Sequence, residues 1–268
     1  MTDLPPISLQ IPDLVSPLQL YVHGEQDQFV SRRIREEGIW EPYETSLVLS
    51  LLRSGHVCVD VGANIGYFSI LAAAVVGEAG AVFAFEPDPG NFALLQANAV
   101  LNKQQQRITA VQAALSTQAG AGELFLSEDN LGDHQIYAAG EQRKSVPIGL
   151  LNGSEYLGER VQRLDLLKVD TQGSEYQVMA GLMPLLQSLP GATHILIELT
   201  PLSLRQSGSS GRELIELLAS LQQPFWIVDH IEHRLVASHS EELAQWCDDV
   251  DAVSGDMGFM NILVGSGL

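Results

Sequence analysis

Cysteine is almost missing from these 268 residues: only Cys58 and Cys247 occur, far apart in the chain. Two such residues support neither a disulfide framework nor a thiolate metal cluster, and the expected setting is reducing and cytoplasmic. Positive charge is scarce as well. Against 33 Asp and Glu stand 14 Lys and Arg, a formal net charge of −19. Repulsion then argues against a nucleic-acid backbone or an anionic membrane as partner. No apolar run approaches the roughly 18 residues of a spanning helix. The opening MTDLPPISLQIPDL lacks a basic stretch followed by an apolar block, so a soluble protein is expected. Internal repeats and long low-complexity tracts are also missing. A chain of this length suits one sizeable core, and its charge suits a neutral or cationic small-molecule partner.

What is present is an alternation of strand and helix patterns. Residues 1–55 read as a proline-dotted arm followed by a helix, EPYETSLVLSLL, with Pro42 at its start and Gly55 as its stop. From residue 56 to 268 the pattern becomes strand VCVDV, helix YFSILAAAVV, strand AVFAFE, helix NFALLQANAVLN and strand ITAVQAAL. That rhythm predicts a parallel sheet covered on both faces. Residues 122–150 interrupt it, with two strand-like runs, GELFLS and KSVPIGLL, around the polar stretch EDNLGDHQIYAAGEQR. Such a connection reads as a lid. Strand LDLLKVD, helix SEYQVMAGLMPLLQ, strand HILIEL, helix GRELIELLASL, strand FWIV and a closing strand FMNILV complete the series. The expected fold is α/β, a doubly wound and mostly parallel sheet of about seven strands, with ligands at the strands' carboxyl ends.

The first strand runs into DVGANIGYFS, a turn in which Gly62 and Gly66 flank Asn64. Glycines let a ligand approach main-chain atoms, and the following helix offers free N–H groups. A dinucleotide fingerprint needs a small residue where Tyr67 stands, and Asp60 would repel a pyrophosphate. The same carboxylate suits a ligand that carries an ammonium and a sulfonium, as S-adenosylmethionine (SAM) does. Glu86 closes the second strand, 24 residues after Gly62, where an acid meets a ribose in doubly wound folds. Asp88 and Pro89 read as a helix cap and its first residue. Asp170 and Glu198 end the fourth and fifth strands, so carboxylates after four strands converge on one rim.

Taken in order, G-I-W-E-P-Y-E, D-V-G-A-N-I-G-Y-F-S, F-E-P-D-P, A-N-A-V-L-N, L-L-K-V-D-T-Q-G-S-E, I-E-L-T-P and N-I-L-V, across roughly residues 38–264, resemble the FkbM-type SAM-dependent methyltransferases. The resemblance implies a Rossmann-like class I sheet of seven strands with a reversed last strand. It implies that the turn Asp60, Gly62, Asn64, Gly66, with Tyr67 and Phe68 behind it, holds the methionine part of SAM. Glu86 with Pro87 would hold the ribose, Gln112, Ala113 and Ala114 the adenine edge, and Asp170 would stand by the methyl group. On the acceptor side Glu175 and Glu198 match the family's acidic positions; His134, in the loop DNLGDHQIY expected to overhang the methyl group, and Glu41, Asn130 and Gln172 are the further candidates. Two positions depart from the family pattern: Gln172 replaces an acid of D-x-E-G-x-E, and Thr200 stands where a histidine is common.

The implied reaction is O-methylation of a hydroxyl on a small natural product or sugar. N-methylation of an amine or peptide amide, and a non-catalytic partner protein of the same fold, stand as alternatives. Methyl transfer needs an in-line nucleophile and no metal, and His134, then Asp170, are the candidate catalytic bases. His56 and His194 begin strands and read as structural, while His230, His233 and His239 are spaced too irregularly for ligands.

Overall fold

The computed structural model describes residues 5–12, 14, 16–138 and 143–267. The chain opens with a short strand pair, β1 (Ile7–Ser8) and β2 (Gln19–Leu20), and two helices, α1 (Val30–Glu37) and α2 (Pro42–Leu51). The alternating part follows as β3 (Val57–Val61), α3 (Tyr67–Val76), β4 (Ala81–Phe85), α4 (Pro89–Leu101) and β5 (Ile108–Val111). Next come β6 (Ala114–Ser116), β7 (Gly120–Phe125), β8 (Ser145–Asn152) and α5 (Gly153–Leu157). The chain continues with β9 (Leu166–Val169), α6 (Glu175–Ser188), β10 (His194–Leu199), α7 (Pro201–Gln206) and α8 (Gly211–Ala219). It closes with β11 (Phe225–Asp229), β12 (Arg234–Ser238), α9 (Ser240–Ala252) and β13 (Met260–Val264).

The main sheet runs β12-β11-β13-β10-β9-β3-β4-β5. Its middle strands pair in parallel, and β13 lies antiparallel between β10 and β11. This is the Rossmann-like class I arrangement with a reversed last strand, plus an extra edge strand, β12. Strand order reverses between β3 and β9, and a crevice opens beyond the carboxyl ends of such a pair.

Side chains alternate across each strand, and the two faces build two cores. Val59, Val61, Phe83, Phe85, Leu167 and Val169 pack with residues of α6, α8 and α9. Cys58, Val82, Ala84 and Leu166 pack on the other face with α2, α3 and α4, and there they join Leu20, Val30 and Ile34 of the N-terminal segment. The same alternation brings two charged side chains to this second face, since Asp60 and Lys168 are direct partners in the β3–β9 register.

The helix starts follow local chemistry. Asp88 caps α4 by accepting from Asn91 N at 2.8 Å, with Pro89 as the first helical residue. Gly66 takes a left-handed φ of 89° to turn β3 into α3, and a Cβ there would fall 2.5 Å from Leu95 Cδ1.

Besides the helices α5, α7 and α9, which the sequence series did not include, three features of the strands depart from the sequence expectation. ITAVQAAL is not one strand: Ala113 N donates to Val111 O at 3.0 Å, a tight turn that sends β6 into a separate sheet ordered β6-β8-β7. The strand β12 was not foreseen, because RLVAS is short, largely exposed and shows little alternation. The pair β1–β2 is only two residues long in each strand, too short for any periodicity to register. Among the described residues, no helix is long and apolar enough to cross a membrane.

Gly181 gives a test of packing against propensity. It lies inside α6, where alanine would gain about 1 kcal/mol in an exposed helix, yet an added Cβ would fall 2.3 Å from Ser116 O on β6. Gly181→Ala is expected to destabilise by about 1–3 kcal/mol, read by chemical denaturation; a gain in stability would show that α6 and β6 are not held this closely.

Candidate active site

The turn after β3 and the turn after β9 touch through their backbones. A Cβ at Gly62, whose φ is +82°, would lie 1.8 Å from Asp170 O. Gly62 N and Ala63 N both donate to Phe85 O at 3.0 Å, which ties the turn to the end of β4 as well. Asn64 adopts a φ of 50°, accepts from Ile65 N through Oδ1 at 2.7 Å and donates its own N–H to Glu86 Oε2 at 2.8 Å. Glu86 Oε1 accepts from Asp88 N at 2.8 Å. The Asn91 side chain also hydrogen-bonds to this carboxyl. Burial pushes the Glu86 carboxyl up to about 8, against the opposing pull of the two amides.

Two openings meet at this point. A narrow pocket of about 540 Å³, part of it open to solvent, lies beside Glu86 and Pro87, with Ala113, Leu115, Leu124 and Ile136 as its apolar walls. Ser174 Oγ, buried and without a partner, also faces it. A wide cleft of about 2050 Å³, counting its open mouth, is lined by Trp40, Glu41, Asp60, Tyr67, Phe68, Asn130, Lys168, Glu198 and Thr200. Gly62, Asn64, Gly132, Asp170 and Gln172 line both. Asp170 therefore stands at their junction.

Gln172, at a φ of 53°, joins two carboxyl groups: its Nε2 donates to Asp170 Oδ1 at 2.8 Å and to Glu198 Oε2 at 2.9 Å. The amide at the departing position thus supplies a donor where an acid would add a third carboxyl. Glu198 and Glu41 are both raised well above the usual carboxylate range, by burial first and then by the acids around them. Glu41 Oε2 and Thr200 Oγ1 are buried without partners. Glu41 caps α2 in a left-handed conformation, φ 43°, a strain that the surrounding structure must hold in place. Asp60 accepts from Ser69 Oγ at 2.6 Å and is raised by burial, with Lys168 pulling the other way.

Four expected site residues lie elsewhere. Gly66 is buried and lines neither opening. Gln112 is exposed and lines neither opening, because the turn at Val111–Ala113 directs it to solvent while Ala113 and Ala114 face the narrow pocket. Glu175 is fully buried and faces neither opening; its carboxylate accepts from Thr171 N, Thr171 Oγ1 and Gly173 N at 2.9–3.1 Å, so it holds the turn after β9. His134 lines the narrow pocket and not the wide cleft. Its Nδ1 accepts from Ser127 N at 3.0 Å, and its Nε2 lies 4.0 Å from Asp88 Oδ2. Burial lowers the imidazole's pKa, against Asp88. The neutral ring then carries its proton on Nε2 and has no lone pair left to act as a base.

One site residue escaped the sequence reading. Lys168, in the middle of LLKV, is 4% exposed, with its Nζ 3.1 Å from Asp170 Oδ2 and 3.6 Å from Glu44 Oε1. The signal was a lysine inside an otherwise apolar strand, where a charge is rarely buried without partners.

The sequence matches the model of the methyltransferase FkbM domain over residues 60–224. It is 29% identical over 206 residues to the 31-O-demethyl-FK506 methyltransferase FkbM of Streptomyces tacrolimicus, covering 63% of this chain and 76% of that protein. It is 27% identical over 195 residues to the hexuronic acid methyltransferase AglP of Haloferax volcanii, covering 68% and 75%. Among solved structures, it is similar to the methyltransferase FkbM from Methylobacillus flagellatus KT, with 14% identity and a TM-score of 0.46 over 80% of this chain and 45% of that one. The family match spans more than half of the chain, over the strand ends that build both openings: this chain belongs to the FkbM family of methyltransferases, whose cofactor is SAM.

Proposed function

We propose that this chain is an O-methyltransferase acting on a hydroxyl of a small, neutral molecule. The observation that carries this reading is the junction at Asp170, where a pocket suited to a nucleoside meets a cleft floored by carboxyl groups. Burial drives Glu41 and Glu198 toward their neutral, hydrogen-bonding form. Neutral carboxyls, an amide and a threonine hydroxyl suit hydroxyl groups, and a chain of net charge −19 does not attract polyanions.

The residues of the narrow pocket fit the cofactor's adenosine part. Glu86 would accept from the ribose hydroxyls, and Ala113, Leu115, Leu124 and Ile136 would enclose the adenine. The backbone of the turn from Asp60 to Gly66 would take the amino-acid end. Leu131, His134 and Ile136 make the 122–150 segment the cover of this pocket, with residues 139–142 outside the described residues. SAM supplies a methyl group on a sulfonium, transferred to a nucleophile in line with the leaving sulfur. The chain contributes proximity and orientation. Asp170 is held by two donors and faces both openings, so it is the group to receive the acceptor's proton. His134 acts as a wall and Nε2–H donor on the cofactor side.

These assignments give three expected outcomes. SAM or its demethylated product at 100 times its dissociation constant should stabilise the protein by about 2.7 kcal/mol, and NAD should not; thermal shift with each ligand decides the cofactor. Glu86→Gln should weaken binding of the demethylated product by about 10- to 100-fold and flatten the pH dependence of stability. A buried acid raised from 4.5 to about 8 binds its proton more tightly folded than unfolded. Its contribution is full below about pH 4.5 and is lost as pH rises toward 8. Unfolding of parent and variant at pH 5 and 8 should therefore show the smaller loss in Glu86→Gln. Third, methyl-labelled SAM incubated with a metabolite extract of the organism that encodes this chain should yield a labelled methyl ether. An N-methyl product would transfer the assignment to amines, and no labelled product would leave only binding.

A further inference from the structure

The buried cation beside the junction has so far entered only as one of the two donors on Asp170. Lys168 sits on β9, at the centre of the main sheet, with its Nζ 4.5 Å from the centroid of the Phe68 ring. A methionine of similar length would fill the same space without the cost of stripping an ammonium of water. The groups facing this ammonium come from every neighbouring element. They are Asp170 just beyond its own strand, Glu44 of α2, Asp60 of β3 and Glu41 at the α2 cap. Glu44 is itself fixed from behind: Asn261 Nδ2 of β13 donates to its Oε2 at 2.5 Å, and His230 Nε2 lies 4.0 Å away.

Only one of these carboxylates reaches both openings. Asp170 has its Oδ2 on Lys168 Nζ at 3.1 Å and its Oδ1 on Gln172 Nε2 at 2.8 Å, while a third of its side chain stays open at 32%. The acids that bear on Asp170 are Glu41, Glu44, Asp60, Glu175 and Glu198. Without the cation, those acids would push the Asp170 carboxylate away from its place at the junction.

We propose that Lys168 is a positioning residue: its ammonium, seated against Glu44, fixes the Asp170 carboxylate at the junction and keeps its negative charge available to the transferred methyl and the acceptor's proton. The proposal rests on the reading of Asp170 given above. Burial alone lowers a lysine's pKa, but here the surrounding carboxylates, Asp170 first, outweigh it and raise it. The cation is therefore permanent across the working pH range. Glu44 matters as the far anchor, because an ammonium held on one side only could turn away from Asp170.

The charge at the junction is measurable with no acceptor in hand. Sinefungin replaces the methyl-bearing sulfonium of SAM with a carbon that carries a primary amine, whereas S-adenosylhomocysteine presents a neutral thioether. The ratio of their dissociation constants, by calorimetry on the full chain near neutral pH, reports the negative charge near the transfer point. The free analogue is the same cation in every measurement, so differences between variants arise in the bound state.

The parent should prefer sinefungin by about tenfold near neutral pH, and Asp170→Asn should lose that preference. In Lys168→Met the preference should fall toward that of Asp170→Asn, because the carboxylate is no longer held at the junction, and Lys168→Arg should keep most of it. If Lys168→Met does not fold, Glu44→Gln/Lys168→Met removes the buried pair together and should show the same loss. A folded Lys168→Met, or the double variant, that keeps or exceeds the parent's preference overturns the positioning role while Asp170→Asn still upholds the reading of Asp170. A preference untouched by Asp170→Asn overturns both.

Discussion

The site depends on a backbone contact for which only glycine leaves room. Gly62 brings the turn after β3 against the carbonyl of Asp170, at a distance where any Cβ would overlap it. Strand order reverses at this pair, so the contact closes the base of the crevice that such a reversal opens. It also fixes what can lie on either side. Toward β4 the turn delivers its N–H groups to Glu86 and Phe85, and toward β10 the next turn delivers Gln172 to Glu198. Two openings that share five residues follow from one close approach of two loops.

The second constraint is electrostatic. The cleft gathers Glu41, Asp60, Asp170 and Glu198 around a buried cation, Lys168, whose ammonium is seated against Glu44. Taking one partner from such a set leaves uncompensated charge in a dry interior, which is costly. The molecule meets this in two ways: some acids are raised by burial toward neutrality, and Asp170 is held by a cation and an amide. The result is a cleft with both hydrogen-bonding carboxyls and a fixed carboxylate, which are different chemical tools drawn from one residue type.

Elements with strong local signals were legible in the sequence. AVFAF is apolar throughout, and VCVDV apart from Asp60, because parallel strands are covered on both faces. Asp88 with Pro89 announced the start of α4, and the glycine turn announced the crevice. The acids at the ends of β3, β4, β9 and β10 were expected on one rim; the structure divides them, with Glu86 lining one opening, Asp60 and Glu198 the other and Asp170 both. The strand β12 and the pair β1–β2 stayed hidden because their stability comes from neighbours and not from their own periodicity.

The sequence by itself determined the alternation of the central strands and helices, the turn that only glycine permits, and the family, because each is written in local pattern and spacing. It also set the charge balance that argues against polyanionic partners. Tertiary structure alone decided the direction of each side chain. Glu175 stands two residues beyond Gly173 and looked open to the cleft, but the turn folds back so that three donors consume its carboxylate. His134 looked like a base because its loop is polar, but the Ser127 amide takes the lone pair on which basicity depends. Lys168 passed unremarked inside a strand; pairing set it beside Asp60, and folding brought Glu44, from a helix more than a hundred residues earlier, to its other side. Hydrogen-bond direction and charge proximity are relations between residues distant in the chain, and only the packed sheet brings them together.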